Sequence, residues 1–344
     1  MTASPRLFAS AATGQTAARL VGWQRELAEA IRDPGELCAM LGLDPRIAVE
    51  ARAAGGDFPF LVPRSFAARM RAGDPADPLL AQVLPRRRES EQVSGYTADP
   101  LDERAFLAAP GLVRKYAGRA LLLATGGCAV HCRYCFRREF PYADSGAHRA
   151  GVEAALEALA ADTTIREVIL SGGDPLLLDD DRLSELVARL EAMPHVRRLR
   201  IHTRLPIVLP SRVTDELVSV LGRTPLTVVL VVHANHPAEL DAEVAGSAAR
   251  LAAGRMLLLN QAVLLAGVND SVATLTGLSE RLLDLGIVPY YLHLLDRVRG
   301  TAHFEVDEAR ARELHDALRA SLPGYAVPRL AREVPGEPAK VWLG

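Results

Sequence analysis

Cysteine is scarce, with 4 in 344 residues, and aromatic residues make up only 5% of the chain. A disulfide-stapled secreted scaffold would spread an even number of cysteines along a shorter chain. Here three of the four fall within eight residues, Cys128 to Cys135, a clustering more usual for an intracellular metal site. No apolar run reaches the roughly 20 residues of a membrane helix, and the opening MTASPRLFAS lacks the continuous apolar core of a secretory signal. Excess charge is missing too: 40 basic and 42 acidic residues leave −2, so nothing attracts nucleic acid or an anionic membrane in general. The first 23 residues hold Arg6 and Arg19 and no acid, loosely like a transit peptide, but Ala and Arg abound throughout. A soluble, cytoplasmic protein is expected, with no partner among nucleic acids or membranes.

What is present is enough apolar material, 49% of the residues, for a sizeable core. From residue 119 onward, short apolar runs alternate with segments of helical period. The runs are Arg119–Ala124, Glu167–Leu170, Arg197–His202, Leu226–His233, Met256–Leu264 and Val288–Leu294. Unbroken by polar alternation, they are expected to form parallel strands buried on both faces. Between them GVEAALEALAA, DRLSELVARLEAM, TDELVSVLG, AELDAEVAGSAARLAAG and SVATLTGLSERLLDLG carry apolar residues three and four apart. Six strand–helix units make an α/β fold with a parallel sheet, either doubly wound or closed as a barrel, whose functional residues belong at the C-terminal strand edge. Residues 1–118 differ: Trp23–Leu41, Phe58–Met70 and Pro78–Val83 are expected as helices, and Arg86–Pro110 as a polar connector. The expected division is an N-terminal helical region and connector over 1–118, a core over 119–306, and a C-terminal helix and tail over 307–344.

Cys128, Cys132 and Cys135 form C-x3-C-x2-C in GGCAVHCRYC, directly after the first expected strand. Three thiolates so spaced can wrap one face of an iron–sulfur cube from a single loop, leaving one iron without a protein ligand. A structural zinc site, normally four ligands in two pairs, and plain buried cysteines are the alternatives. Cys38, in the helical pattern ELCAMLG, is expected in the core. A second glycine-rich turn, Ser171-Gly172-Gly173-Asp174-Pro175, follows the second strand.

With these two motifs the sequence resembles the radical S-adenosylmethionine (SAM) superfamily. There the cysteine loop holds a [4Fe-4S] cluster that binds SAM, and the glycine turn receives the methionine amino group. GGCAVHCRYCFRREFPY, LSGGDPL, IHTRLPIVLP, HANHPAEL, NQAVLLAGVND and PYYLHLLD, in that order, narrow the resemblance to the lysine 2,3-aminomutase family. The implied architecture is a partial parallel (β/α)6 radical SAM barrel with an N-terminal helical region. Length and the FRREFPY and GEPAK wording favour the shorter branch, which makes (R)-β-lysine for attachment to translation elongation factor P. Longer members extend beyond their lysine for pyridoxal 5'-phosphate (PLP), whereas this chain stops four residues after Lys340.

The resemblance assigns roles residue by residue. Lys340, in VPGEPAK, matches the catalytic lysine that carries PLP. Lys115 and Arg119 match basic residues for the PLP phosphate, although longer members have arginine at the first place. Arg137 matches the arginine for the substrate carboxylate, and Asp296 a carboxylate for the distal amine of lysine. A second family aspartate falls at Glu333, a departure that lengthens the side chain by one methylene. Ser171, Gly172, Gly173 and Asp174 belong with SAM. His202, Arg204, His233, Asn260 and Gln261, at strand ends, are further candidates for SAM or PLP contacts. The implied partners are lysine, an electron donor such as flavodoxin or ferredoxin, and indirectly the ligase acting on elongation factor P; a homo-oligomer is compatible with all of this. The alternatives are an aminomutase making a free β-amino acid from lysine or another amino acid, and a non-catalytic iron–sulfur barrel protein.

Overall fold

The structure is a computed structural model, and it describes residues 22–56 and 58–344. Arg6 and Arg19 lie outside the described residues. The N-terminal region is helical but more broken than its periodicity suggests. Trp23–Leu41 divides into α1 (Gly22–Ala28) and α2 (Pro34–Met40), because Asp33 accepts a hydrogen bond from Gly35 N and Pro34 starts a new helix. The same Asp-Pro device opens α3 (Pro45–Ala54) at Asp44 and α5 (Pro78–Ala81) at Asp77. Of Phe58–Met70 only α4 (Arg64–Ala67) is α-helix; upstream, Val62 is extended and pairs with Ile31.

Residues 86–110, expected as a connector, contain two 3-10 turns, Arg87–Ser90 and Glu103–Phe106, and end in a short strand β1 (Leu107–Ala109). This strand and β2 (Leu112–Val113) run antiparallel and lead into β3 (Arg119–Thr125). The expected alternation then follows: α6 (Arg149–Ala161), β4 (Glu167–Gly172), α7 (Asp180–Glu191), β5 (Arg198–Thr203), α8 (Leu205–Val208), α9 (Asp215–Gly222), β6 (Thr227–Val232), α10 (Ala242–Ala253), β7 (Leu257–Val263), α11 (Val272–Asp284) and β8 (Val288–His293). Asp179, Thr214, Asp241 and Ser271 each cap the helix they precede by accepting a backbone N–H. In α7 the buried residues Leu183, Leu186, Val187 and Leu190 fall at i, i+3, i+4 and i+7, and one apolar stripe lies on the sheet.

The sheet exceeds six strands. After α12 (Glu308–Ser321), β9 (Arg329–Arg332) adds a seventh parallel strand beside β8, and β10 (Val341–Trp342) turns back antiparallel along it. The order β1 to β10 is sequential and open, a partial barrel. Strands β9 and β10 are too short for periodicity to reveal them; pairing of β9 with β8, and of β10 with β9, creates them. The turn between them passes through Gly336 at φ +84, a conformation glycine adopts without strain, and it suspends Glu333 and Lys340 over the C-terminal strand edge. No helix among the described residues is long and apolar enough to cross a membrane.

Candidate active site

A cavity of about 730 Å3 opens at the C-terminal ends of the parallel strands, in the upper part of the roughly 300–1,000 Å3 range of small-molecule sites. Cys128, Cys132 and Cys135 line one wall, on the loop that leaves β3. Burial raises the Cys128 and Cys135 thiols, and their neighbours in the triplet push the same way; Cys135 reaches about 11. Such crowding of deprotonatable sulfurs is costly unless iron neutralises them, which suits the donor set to a cluster. Arg204 Nη1 donates to Cys132 Sγ at 2.7 Å, while its Nη2 donates to Gln82 Oε1 at 2.7 Å and Glu239 Oε2 at 3.0 Å. Among the described residues no three Cys, His, Asp or Glu side chains close on a single-ion shell. Thiolates on the corners of a cube stand farther apart than the ligands of one ion. Cys38 is buried in α2, away from this wall.

The cluster loop is held from behind by a buried ion network. Arg133, fully buried, donates through Nε and Nη2 to Glu89, and Arg138 Nη2 donates to the same carboxylate at 2.8 Å. Removing one partner of such a pair costs about 3–5 kcal/mol, because the other charge stays buried. The glycine turn presses on the loop from the next strand. Gly173 N donates to Thr125 O at 2.8 Å and Asp174 N to Gly127 O at 2.7 Å, and a Cβ on Gly173 would stand 1.9 Å from Gly127 O. Only glycine permits that approach.

Asp174 turns its carboxylate into the fold. It accepts from Thr203 Oγ1 at 2.7 Å, Arg204 N at 2.7 Å, Leu205 N at 3.2 Å and Leu176 N at 3.1 Å, tying the ends of β4 and β5 together. Burial pushes it up to about 6 against those hydrogen bonds. Ser171, Gly172 and Gly173 line the cavity beside it.

Charges of alternating sign form a chain along the cavity. Lys340 Nζ donates to Glu333 Oε2 at 2.5 Å, and Lys115 Nζ donates to Glu333 Oε1 at 2.8 Å. Lys115 also lies 3.8 Å from Glu103, which binds Arg137 through both oxygens. Burial works to raise the Glu333 carboxyl, but the two ammonium groups outweigh it and hold the group at about 2. Asp296, just beyond β8, is pushed up to about 7, first by burial and then by Glu333, with Lys340 and Lys115 opposing. Arg119 stacks its guanidinium over Tyr116, 4.8 Å from the ring centre, and both line the cavity.

His202, His233, Arg204 and Gln261 face the cavity; burial keeps both histidines neutral, His233 at about 3 and His202 far below its ordinary value. Asn260 does not face it. Its amide is spent on Ala234, accepting from N at 2.9 Å and donating to O at 3.1 Å, because successive residues of β7 alternate sides and Gln261 takes the inward one. Four cavity or hub residues were not singled out in the sequence: Glu103 and Gln82 lie outside every motif, while Tyr134 and Glu239 lie inside GGCAVHCRYC and HANHPAEL as unassigned positions. Glu103 sits in an unpatterned polar stretch, and the others are recognisable only by what they touch.

A model of the radical SAM superfamily matches residues 122–238. An L-lysine 2,3-aminomutase of Escherichia coli (strain K12) is 48% identical over 322 residues, 93% of this chain and 94% of that protein. One from Haemophilus influenzae is 45% identical over 318 residues, 92% and 94% of the two chains. One from Acetoanaerobium sticklandii is 38% identical over 264 residues, 76% of this chain and 64% of its own. Likeness of this extent, along nearly the full length of the first two relatives and through the cysteine loop and glycine turn, makes the chain a member of the lysine 2,3-aminomutase family within the radical SAM superfamily.

Proposed function

We propose that the protein moves the amino group of L-α-lysine from Cα to Cβ, giving (R)-β-lysine for attachment to elongation factor P. The observation that carries this reading is a single cavity where three clustered thiols, a lysine on a Gly/Pro turn and charges of both signs meet, in a chain 48% identical to an L-lysine 2,3-aminomutase. Membership in the radical SAM superfamily implies a [4Fe-4S] cluster and SAM. With PLP they supply, when bound, one-electron chemistry that takes hydrogen from carbon and returns it, and a conjugated carrier for the migrating nitrogen.

The chain's own residues would do the rest. Cys128, Cys132 and Cys135 hold three irons, Lys340 holds PLP covalently, and Lys115 and Arg119 hold its phosphate. Arg137 meets the substrate carboxylate, and Asp296, with Glu333, meets the distal ammonium. Cation and anion then lie at opposite ends of one substrate, and an amino acid lacking the distal amine would leave Asp296 without its partner. Apolar lining from Leu101, Val113, Ile169, Val263 and Leu295 keeps water from the reacting carbons. The reaction exchanges an amino group on Cα with hydrogen on Cβ, so no net electrons are consumed. A flavodoxin or ferredoxin delivers the starting electron, in the cytoplasm, and a ligase consumes the product.

The test is anaerobic incubation of reconstituted protein with lysine, SAM, PLP and a reductant, followed by mass and chiral chromatography. Appearance of β-lysine that depends on all three cofactors supports the reading. Turnover of another amino acid in preference to lysine, or none at full cofactor content, defeats it.

A further inference from the structure

Arg137 is not a free cation waiting for a ligand. Its Nε donates to Glu103 Oε2 at 2.6 Å and its Nη2 to Glu103 Oε1 at 2.8 Å, a two-point contact along one edge of the guanidinium. Nη1 donates to Ser171 Oγ at 2.9 Å and to Gly172 O at 3.3 Å. Those contacts use four of the five N–H donors, and both partners are buried, Glu103 at 3% and Arg137 at 6% exposure. Glu103 is itself held. Asp102 adopts a left-handed backbone (φ 50), and Asp99 accepts from Glu103 N at 3.0 Å, so the 3-10 turn starts with this side chain directed at Arg137.

We propose that Glu103 is the positioning residue of the substrate-carboxylate site: it fixes the plane of Arg137 and cancels enough of its charge that the carboxylate is held in register without being held too tightly. This rests on the reading of Arg137 given above and deepens it. Glu103 lies between two cations, 2.6 Å from Arg137 and 3.8 Å from Lys115, so it also couples the carboxylate site to the residue assigned to the PLP phosphate. A second anion arriving at Arg137 competes with Glu103 for the same guanidinium. The carboxylate of Glu103 therefore lowers ground-state affinity while its geometry sustains the rate, and these two effects separate on substitution.

Glu103→Gln keeps the size but removes the charge and turns one of the two accepting oxygens into a donor, so Arg137 is held at one point only and its plane is no longer fixed. In the fully reconstituted enzyme it should lower kcat at least about tenfold while lowering, not raising, the KM for lysine. Equilibrium dialysis of lysine against lysinamide, which lacks the carboxylate, should show the preference for lysine rising at least about threefold. Glu103→Asp keeps the charge and shortens the reach, so it should leave that preference near the parent value and lower kcat. The aspartate variant preserves the test if the glutamine variant does not fold. The proposal is overturned if Glu103→Gln weakens lysine binding or leaves the preference unchanged, or if Glu103→Asp shifts the preference with kcat intact. If the parent enzyme does not isomerise lysine at all, the functional reading fails instead, and the parent control separates the two.

Discussion

Replacing Asp296 by asparagine removes the lining carboxylate just beyond β8 while keeping its size. Two charges about 4 Å apart in an effective dielectric of about 20 attract by about 4 kcal/mol. Stripping water from the substrate ammonium offsets much of that, so losing the partner should cost about 1.4–3 kcal/mol, a fall of about 10- to 150-fold in kcat/KM for lysine. A pH limb belongs to the same residue. Because burial and Glu333 push Asp296 up to about 7, it is neutral below that pH and charged above it. Only the charged form attracts the ammonium, so kcat/KM for lysine should rise with pH through about 7 and then level off. In kcat the limb should lie at lower pH, since a bound ammonium stabilises the carboxylate. Initial rates in the anaerobic β-lysine assay, taken between about pH 5.5 and 8.5, test both features. An Asp296→Asn enzyme as active as the parent, or one that keeps the limb, would refute recognition of the distal amine here. SAM binding and PLP loading should be unchanged in either outcome.

Other substitutions test the remaining parts of the site. Cys128→Ala, Cys132→Ala and Cys135→Ala should each abolish cluster absorbance and SAM cleavage, since three thiolates leave no spare ligand, whereas Cys38→Ala in α2 should keep full iron content. Lys340→Ala should lose the visible absorbance of covalently held PLP with iron per chain unaltered; aminomutase turnover at the parent rate would contradict its role. Gly173→Ala should destabilise the fold by at least about 2 kcal/mol in urea titration and lower cluster occupancy, because its Cβ would meet Gly127 O at 1.9 Å. A melting profile and iron content equal to the parent would show that the turn yields easily.

The six long strands and the helices between them were legible locally. An unbroken run such as LTVVLVVH needs burial on both faces, and a segment such as DRLSELVARLEAM presents one apolar stripe, so period and length alone identify the unit. The cysteine spacing was legible for the same reason, as one loop supplies all three thiols. Tertiary structure decided what depends on partners distant in the chain. Strands β9 and β10 exist because β8 offers an edge, and they bring together Glu333 and Lys340, which are separated by six residues of turn. Asn260 and Gln261 are neighbours of similar chemistry, and the side of β7 each occupies assigns one to Ala234 and the other to the cavity. Glu103, in a polar stretch without period, meets Arg137 34 residues later only when the hairpin β1–β2 packs beside β3. Spacing along a chain reports periodicity and short loops; the pairing of buried charges is set by long-range packing, which leaves no local pattern to read.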